Sequence, residues 1–125
     1  MKDREFFHNV ADRSGLSREE AADVSRASLQ TLGERLSGGE ARDLAAELPE
    51  PLAQPLRSGD EAAQNFDLEE FVRRVSEHTG LTPTDSVRGI RAVLMTLRDA
   101  AVSEEYAEAM SQLPKEFTTL VATAG

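Results

Sequence analysis

The chain has 125 residues, no cysteine and a formal charge of −9, from 14 basic against 23 acidic residues. That length supports one hydrophobic core rather than two large ones; the missing thiols exclude disulfides and thiolate chemistry; and the acidity argues against a partner bound through phosphate neutralisation, which needs clustered Lys and Arg. With no tryptophan and a single tyrosine, platforms for stacking on bases are also scarce.

Residues 3–13 are expected to form a first helix, because Phe6, Phe7 and Val10 share one face and Gly15 is placed to end it in a left-handed cap. Ser17 followed by Glu20 is a capping-box pair, in which each side chain satisfies a backbone N–H that the helix start leaves orphaned. It opens a long helix to Leu36, with Ser25, Leu29, Leu32 and Leu36 on one stripe. Ser37, Gly38 and Gly39 break that helix, and Glu40 repeats the capping-box spacing from Ser37 for a short helix that turns Ala41, Leu44, Ala45 and Leu48 inward. The Leu48-Pro49 step opens another short helix bearing Leu52 and Leu56, although Pro51 and Pro55 count against it.

Residues 58–66 are polar, contain Gly59 and are expected as a linker. Beyond them the plan recurs. Asp67 caps a helix carrying Leu68, Phe71, Val72 and Val75, Gly80 stops it, and Thr82 with Asp85 starts a second long helix whose stripe is Ile90, Leu94, Leu97 and Ala101. Ala109, Met110 and Leu113 line a third helix, and after Pro114 a fourth carries Phe117, Leu120 and Val121. No stretch has the strict alternation of a strand bounded by hairpin turns.

The recurrence is internal repetition. A shift of 65 residues aligns 5–56 with 70–121 without a gap, and thirteen of the 52 pairs are identical where chance gives about three. The matches include Phe6/Phe71, Val10/Val75, Gly15/Gly80, Arg26/Arg91, Leu29/Leu94, Leu32/Leu97, Glu40/Glu105 and Pro49/Pro114. The expected architecture is therefore all-α: two tandem four-helix repeats, 1–57 and 67–125, in pseudo-twofold arrangement and forming one bundle-like domain. Like apolar faces related by a twofold are self-complementary, so the two long helices are expected to pack on each other.

The first-helix Phe and Val, the GLS followed by EEA, the run LQTLGERLSGGEA at 29–41, the Leu48-Pro49 step and FDLEEFVRRV at 66–75 resemble the bacterial family of domain of unknown function 2267 over nearly the whole chain. That resemblance implies no activity. The second copy departs from the SGGEA motif, reading VSEEY at 102–106. Residues 10–40 also resemble the helix-turn-helix dimerisation half of HU-type histone-like nucleoid proteins. This likeness implies a way for two units to clasp and stops before the basic β-arms that bind DNA in that family.

Candidate sites are few. Glu5 and His8 have the E-x-x-H spacing that supplies ligands in di-iron bundles, but the position aligned with His8 is Arg73, so no metal is expected there. His78 reads as a helix C-terminal residue interacting with the dipole, and neither histidine has a serine or cysteine in a nucleophile motif. The groups Glu19, Glu20, Asp23 and Glu104, Glu105, Glu108 fall in first helical turns, where the macrodipole favours negative charge, and EF-hand spacing is absent. Ser37-Gly38-Gly39 has the composition of an anion nest, but its counterpart Ser103-Glu104 would repel a phosphate.

Arg26 and Arg91 are identical mid-helix cations, expected to contact Glu5 and Glu70, or Glu40 and Glu105, within or between copies; an anionic ligand in a cleft between the copies is the functional alternative. Val87, Val93 and Met95 lie off the main stripe of the second long helix and are expected to leave an apolar patch for docking or self-association. The chain is thus expected to be a non-enzymatic protein-interaction or assembly module with no cofactor. Its expected partner is a protein or a second copy, not nucleic acid or membrane. The alternatives are an HU-like nucleoid DNA binder and a sensor binding a small ligand between the repeats. No apolar run has the length of a membrane span, and MKDREFFHNV lacks the apolar segment of a secretory signal, so a cytoplasmic location is expected.

Overall fold

The structure, a computed structural model, describes residues 1–122. Among them are eight helices and no strand: α1 (Asp3–Ser14), α2 (Arg18–Arg35), α3 (Gly38–Ala45), α4 (Glu50–Leu56), α5 (Leu68–Thr79), α6 (Pro83–Ala100), α7 (Ser103–Ser111) and α8 (Lys115–Ala122). No helix among the described residues is long and apolar enough to cross a membrane.

Local chemistry sets the boundaries. α1 and α5 both end at a glycine in the left-handed region, Gly15 at φ 76 and Gly80 at φ 77, each returning its N–H to the carbonyl four residues back. Ser17 and Glu20 form the expected capping box at α2: Glu20 N–H donates to Ser17 Oγ at 3.1 Å and Ser17 N–H to Glu20 Oε1 at 2.9 Å. Thr82 Oγ1 accepts from Asp85 N–H at α6, and Asp67 Oδ1 from Glu70 N–H at α5. α4 forms despite its prolines. Pro51 lies in the first turn, where its missing N–H has no intrahelical partner to lose, and the buried Leu52, Ala53 and Leu56 offset the one bond that Pro55 removes.

The tertiary contacts interlock the halves. α1 lies on α6 as well as on α2, α5 lies on α2 as well as on α6, and α2 and α6 cross each other. Reciprocal polar contacts mark both crossings. Arg13 of α1 reaches Thr96 Oγ1 at 3.1 Å and pairs with Asp99 at the end of α6, while Arg74 of α5 pairs with Glu34 at the corresponding end of α2 at 3.1 Å. Positions 34 and 99 are aligned by the 65-residue shift.

Contacts between mutually aligned residues fall where a twofold would pass. One is Val24 against Gly89, where a Cβ on the glycine would come within 2.5 Å of Val24 Cγ2. A valine on one helix fills the space that the missing side chain leaves on the other, so the copies differ at this position in a complementary way. A single apolar cluster runs through both halves, with Phe6, Leu29, Leu32, Leu44, Leu52, Phe71, Ile90, Leu94, Leu97 and Phe117 essentially inaccessible to solvent.

Residues 58–66, expected as a linker, run against the first half: Gly38 N–H donates to Glu61 O at 2.8 Å, Gln64 N–H to Glu34 O at 2.9 Å, and Arg42 pairs with Glu61. Gly59 packs against the Gly33 carbonyl and Gly33 against that of Leu56, approaches that leave no room for a Cβ at either position. One local expectation is corrected, and it concerns Glu40. Ser37 Oγ accepts from Glu40 N–H, but the return half of that capping box is missing. Ser37 N–H donates instead to Gln112 Oε1 at the end of α7 (2.9 Å), and Gln112 Nε2 donates to Ser37 Oγ (3.1 Å). Val102 N–H, the aligned group, donates to Glu47 Oε1 beyond the end of α3 (3.2 Å). Residues 47 and 112 are themselves aligned, so each half caps the third helix of the other.

Candidate functional site

Two arrangements gather chemistry-bearing side chains. The first is a groove along α5 and α6, with Leu68, Val72, Pro83 and Val87 as its apolar floor and Glu69, Arg73, Glu77 and Glu116 along its rim. Its acidic rim is locally fixed. Glu116 Oε1 accepts from Leu68 N–H at 2.7 Å, joining α8 to the start of α5, and Arg73 pairs with both Glu70 (2.6 Å) and Glu77. Arg73, with Arg74 behind it, holds the Glu70 carboxyl down at about 2, well below the usual carboxylate range.

The aligned floor positions in the first half are Asp3, Phe7, Arg18 and Ala22. Two of these are charged, and the ring of Phe7 lies under the Arg26 guanidinium, 5.3 Å from its centroid. The apolar groove therefore belongs to the second half. Leu68 and Val72 were expected only as apolar residues of the helix that Asp67 caps, and Pro83 was not given a role; the contrast of Asp3 and Arg18 with Leu68 and Pro83 is the signal that marks the groove.

The predicted patch residues separate. Val87 lines the groove and Met95 is half-buried, but Val93 is 1% exposed and part of the core. α6 is in contact with α1, α2, α5, α7 and α8, which leaves little of its circumference uncovered. Arg26 pairs with Asp23 at 3.6 Å on its own helix, in place of the expected Glu5 or Glu40. Arg91 Nε donates to Leu120 O at 3.2 Å, holding α8 against α6. His8 lies beside Asp12 at 3.3 Å on an exposed face of α1, and His78 is exposed near the end of α5.

The second arrangement lies where α3 meets α7. The exchange of caps leaves Glu40 and Glu105, the aligned third residues of these helices, without a role in capping. Their carboxylates and that of Asp43 bring oxygens within 4.8 Å of one another. Glu40 is 9% exposed, and Glu40 Oε1 and Glu105 Oε2 are buried with no hydrogen-bond partner among the described residues. Loss of solvent raises the Glu40 carboxyl above its usual value, and Glu108, Glu105 and Asp43 add to the rise. Glu105 is raised likewise by loss of solvent and by Glu108, Asp43, Glu47 and Glu104. The acids' first-turn positions do not by themselves account for this convergence, which depends on the contact between α3 and α7.

The sign of the pH dependence follows. A carboxyl whose pKa is raised on folding binds more protons in the native state, so stability increases as pH falls from neutral through the raised values toward about 4.5. Glu70 works in the opposite sense: its contribution is present above the ordinary value and is lost as pH falls toward about 2. In metal-free buffer the melting temperature is thus expected to rise on mild acidification before it falls. Glu40→Gln should raise it at neutral pH and flatten the rise, which a pH series of thermal melts would check.

No curated protein matches the chain. A family model described as an uncharacterized conserved protein, DUF2267, matches residues 3–120, which takes in all of α1 to α7 and most of α8. By that match the chain belongs to the DUF2267 family.

Proposed function

We propose that the chain is a non-enzymatic interaction module that takes up a basic amphipathic helix of a protein partner in the α5–α6 groove. The observation that carries this reading is an apolar floor of Leu68, Val72, Pro83 and Val87 inside an acidic rim. A helix presenting apolar residues at i, i+3, i+4 and i+7 matches such a floor, and flanking Lys or Arg complements Glu69, Glu77 and Glu116. The overall charge of −9 adds long-range attraction for the same class of partner. The two histidines lie outside the groove lining, and Ser76 and Ser86 are hydrogen-bonded to each other at 2.8 Å, an arrangement that suits docking better than nucleophilic chemistry.

The test is fluorescence anisotropy with a labelled amphipathic peptide of Leu and Lys and its Leu-Glu counterpart. The basic peptide is expected to bind with micromolar affinity, falling with salt, and Val87→Lys to weaken it by roughly tenfold or more. Equal binding of both peptides, or full binding by the Val87→Lys variant, would refute the reading. A concentration-dependent dimer that Val87→Lys dissociates would replace it with self-association through this face.

A further inference from the structure

Three carboxylates converge at the α3–α7 junction, and the fold spends none of them on capping. At α2 the equivalent glutamate, Glu20, returns to its own N-cap, Ser17. At α3 and α7 the N-cap N–H groups of Ser37 and Val102 are taken by Gln112 and Glu47 from the opposite half. Glu40 is left nine-tenths buried, with one of its carboxylate oxygens within 4.8 Å of an oxygen of both Asp43 and Glu105, and Glu40 Oε1 and Glu105 Oε2 are buried without a hydrogen-bond partner among the described residues. Buried carboxylate oxygens without a donor are costly, and one opposite charge placed among them would offset that cost.

We infer that Glu40, Asp43 and Glu105 form a binding site for a hard divalent cation of calcium size. All-carboxylate donors select hard cations over the softer metals that favour thiolate or imidazole. Oxygens that all lie within 4.8 Å of one another can be spanned by two bonds of about 2.4 Å to one calcium ion. Three carboxylates from two helices suit calcium's flexible, carboxylate-rich coordination better than magnesium, which is usually held by one or two carboxylates and keeps several waters. Asp43 is exposed and Glu105 half-exposed, so the ion has an entry path and positions for water, while Glu40 closes its inner side. Because Glu40 and Glu105 belong to different halves, the bound ion would tie α3 to α7.

The experiment is isothermal titration of the chelator-treated full chain with calcium chloride, accompanied by thermal melts. The wild type is expected to bind about one ion per chain and to melt at higher temperature with calcium. Glu40→Gln and Glu105→Gln, which keep side-chain volume and relieve repulsion, should stay folded and lose binding by roughly tenfold or more. Glu19→Gln, removing an exposed acid elsewhere, should leave the titration unchanged. The site is refuted if no saturable binding occurs at millimolar calcium, if Glu40→Gln with Glu105→Gln retains it, or if Glu19→Gln weakens it equally.

Discussion

Leu32→Ala and Leu97→Ala are each expected to lower the free energy of unfolding by about 2 to 5 kcal/mol. Both side chains are essentially inaccessible, at 2% and 1% exposure, and they occupy aligned positions on α2 and α6 in one continuous apolar cluster. Each truncation removes the transfer energy of the lost methyl groups and leaves a cavity that neighbours such as Leu29 and Leu94 fill only in part. Because the cluster is shared, either substitution should destabilise the whole chain and not only its own half. Chemical denaturation followed by far-ultraviolet circular dichroism measures this directly. A small effect at both sites would mean that the long helices do not share a core.

Gly33→Val is expected to be comparably damaging, at about 3 kcal/mol or more, although it adds apolar surface. A Cβ at Gly33 would overlap the backbone carbonyl oxygen of Leu56 and stand 3.0 Å from its carbon, so the end of α4 would have to move rather than a flexible side chain. The displacement would reach residues 58–66, since Gly59 rests on the Gly33 carbonyl and Gln64 N–H on that of Glu34. Gly39→Ala provides the contrast. Its Cβ would meet only Arg42 Nη2 at 4.0 Å, and replacing a helical glycine should stabilise by about 0.5 kcal/mol. Melting temperatures of the two variants, displaced in opposite directions, check the argument.

What was legible in the sequence was local. Ser17 with Glu20, Thr82 with Asp85, and the glycines at 15 and 80 set helix ends through bonds spanning only a few residues, and the observed boundaries fall within one residue of those expected for α1, α2 and α6. The stripe of Ser25, Leu29, Leu32 and Leu36 was legible too, because burial follows helical period; all four are inaccessible or nearly so. Contacts that join distant segments were not. The Ser37/Glu40 spacing is a valid capping box, yet Gln112 displaces Glu40 from across the molecule. Val93 looked like surplus surface because the sequence does not show how many helices surround α6.

The carboxylate cluster was half visible: Glu40 and Glu105 were matched by the alignment, but with arginines expected beside them. Arg26 turned instead to Asp23 and Phe7. Asp43 and its aligned Glu108 carried the same signal, since identical or like-charged residues at aligned positions near a twofold are brought face to face rather than apart. Of the groove floor, Val87 was expected as surface and Leu68 and Val72 only as the inward face of α5; that α5 and the start of α6 leave them together beside Pro83 depends on how the two helices pack.

Interlocking of the two halves into one core is tested most directly by differential scanning calorimetry of the full chain beside its Leu32→Ala and Leu97→Ala variants. One transition is predicted, with calorimetric and van't Hoff enthalpies equal, and each substitution should shift that whole transition to lower temperature. Two transitions, of which Leu32→Ala moves one and Leu97→Ala the other, would contradict it and make the halves independent units on a tether.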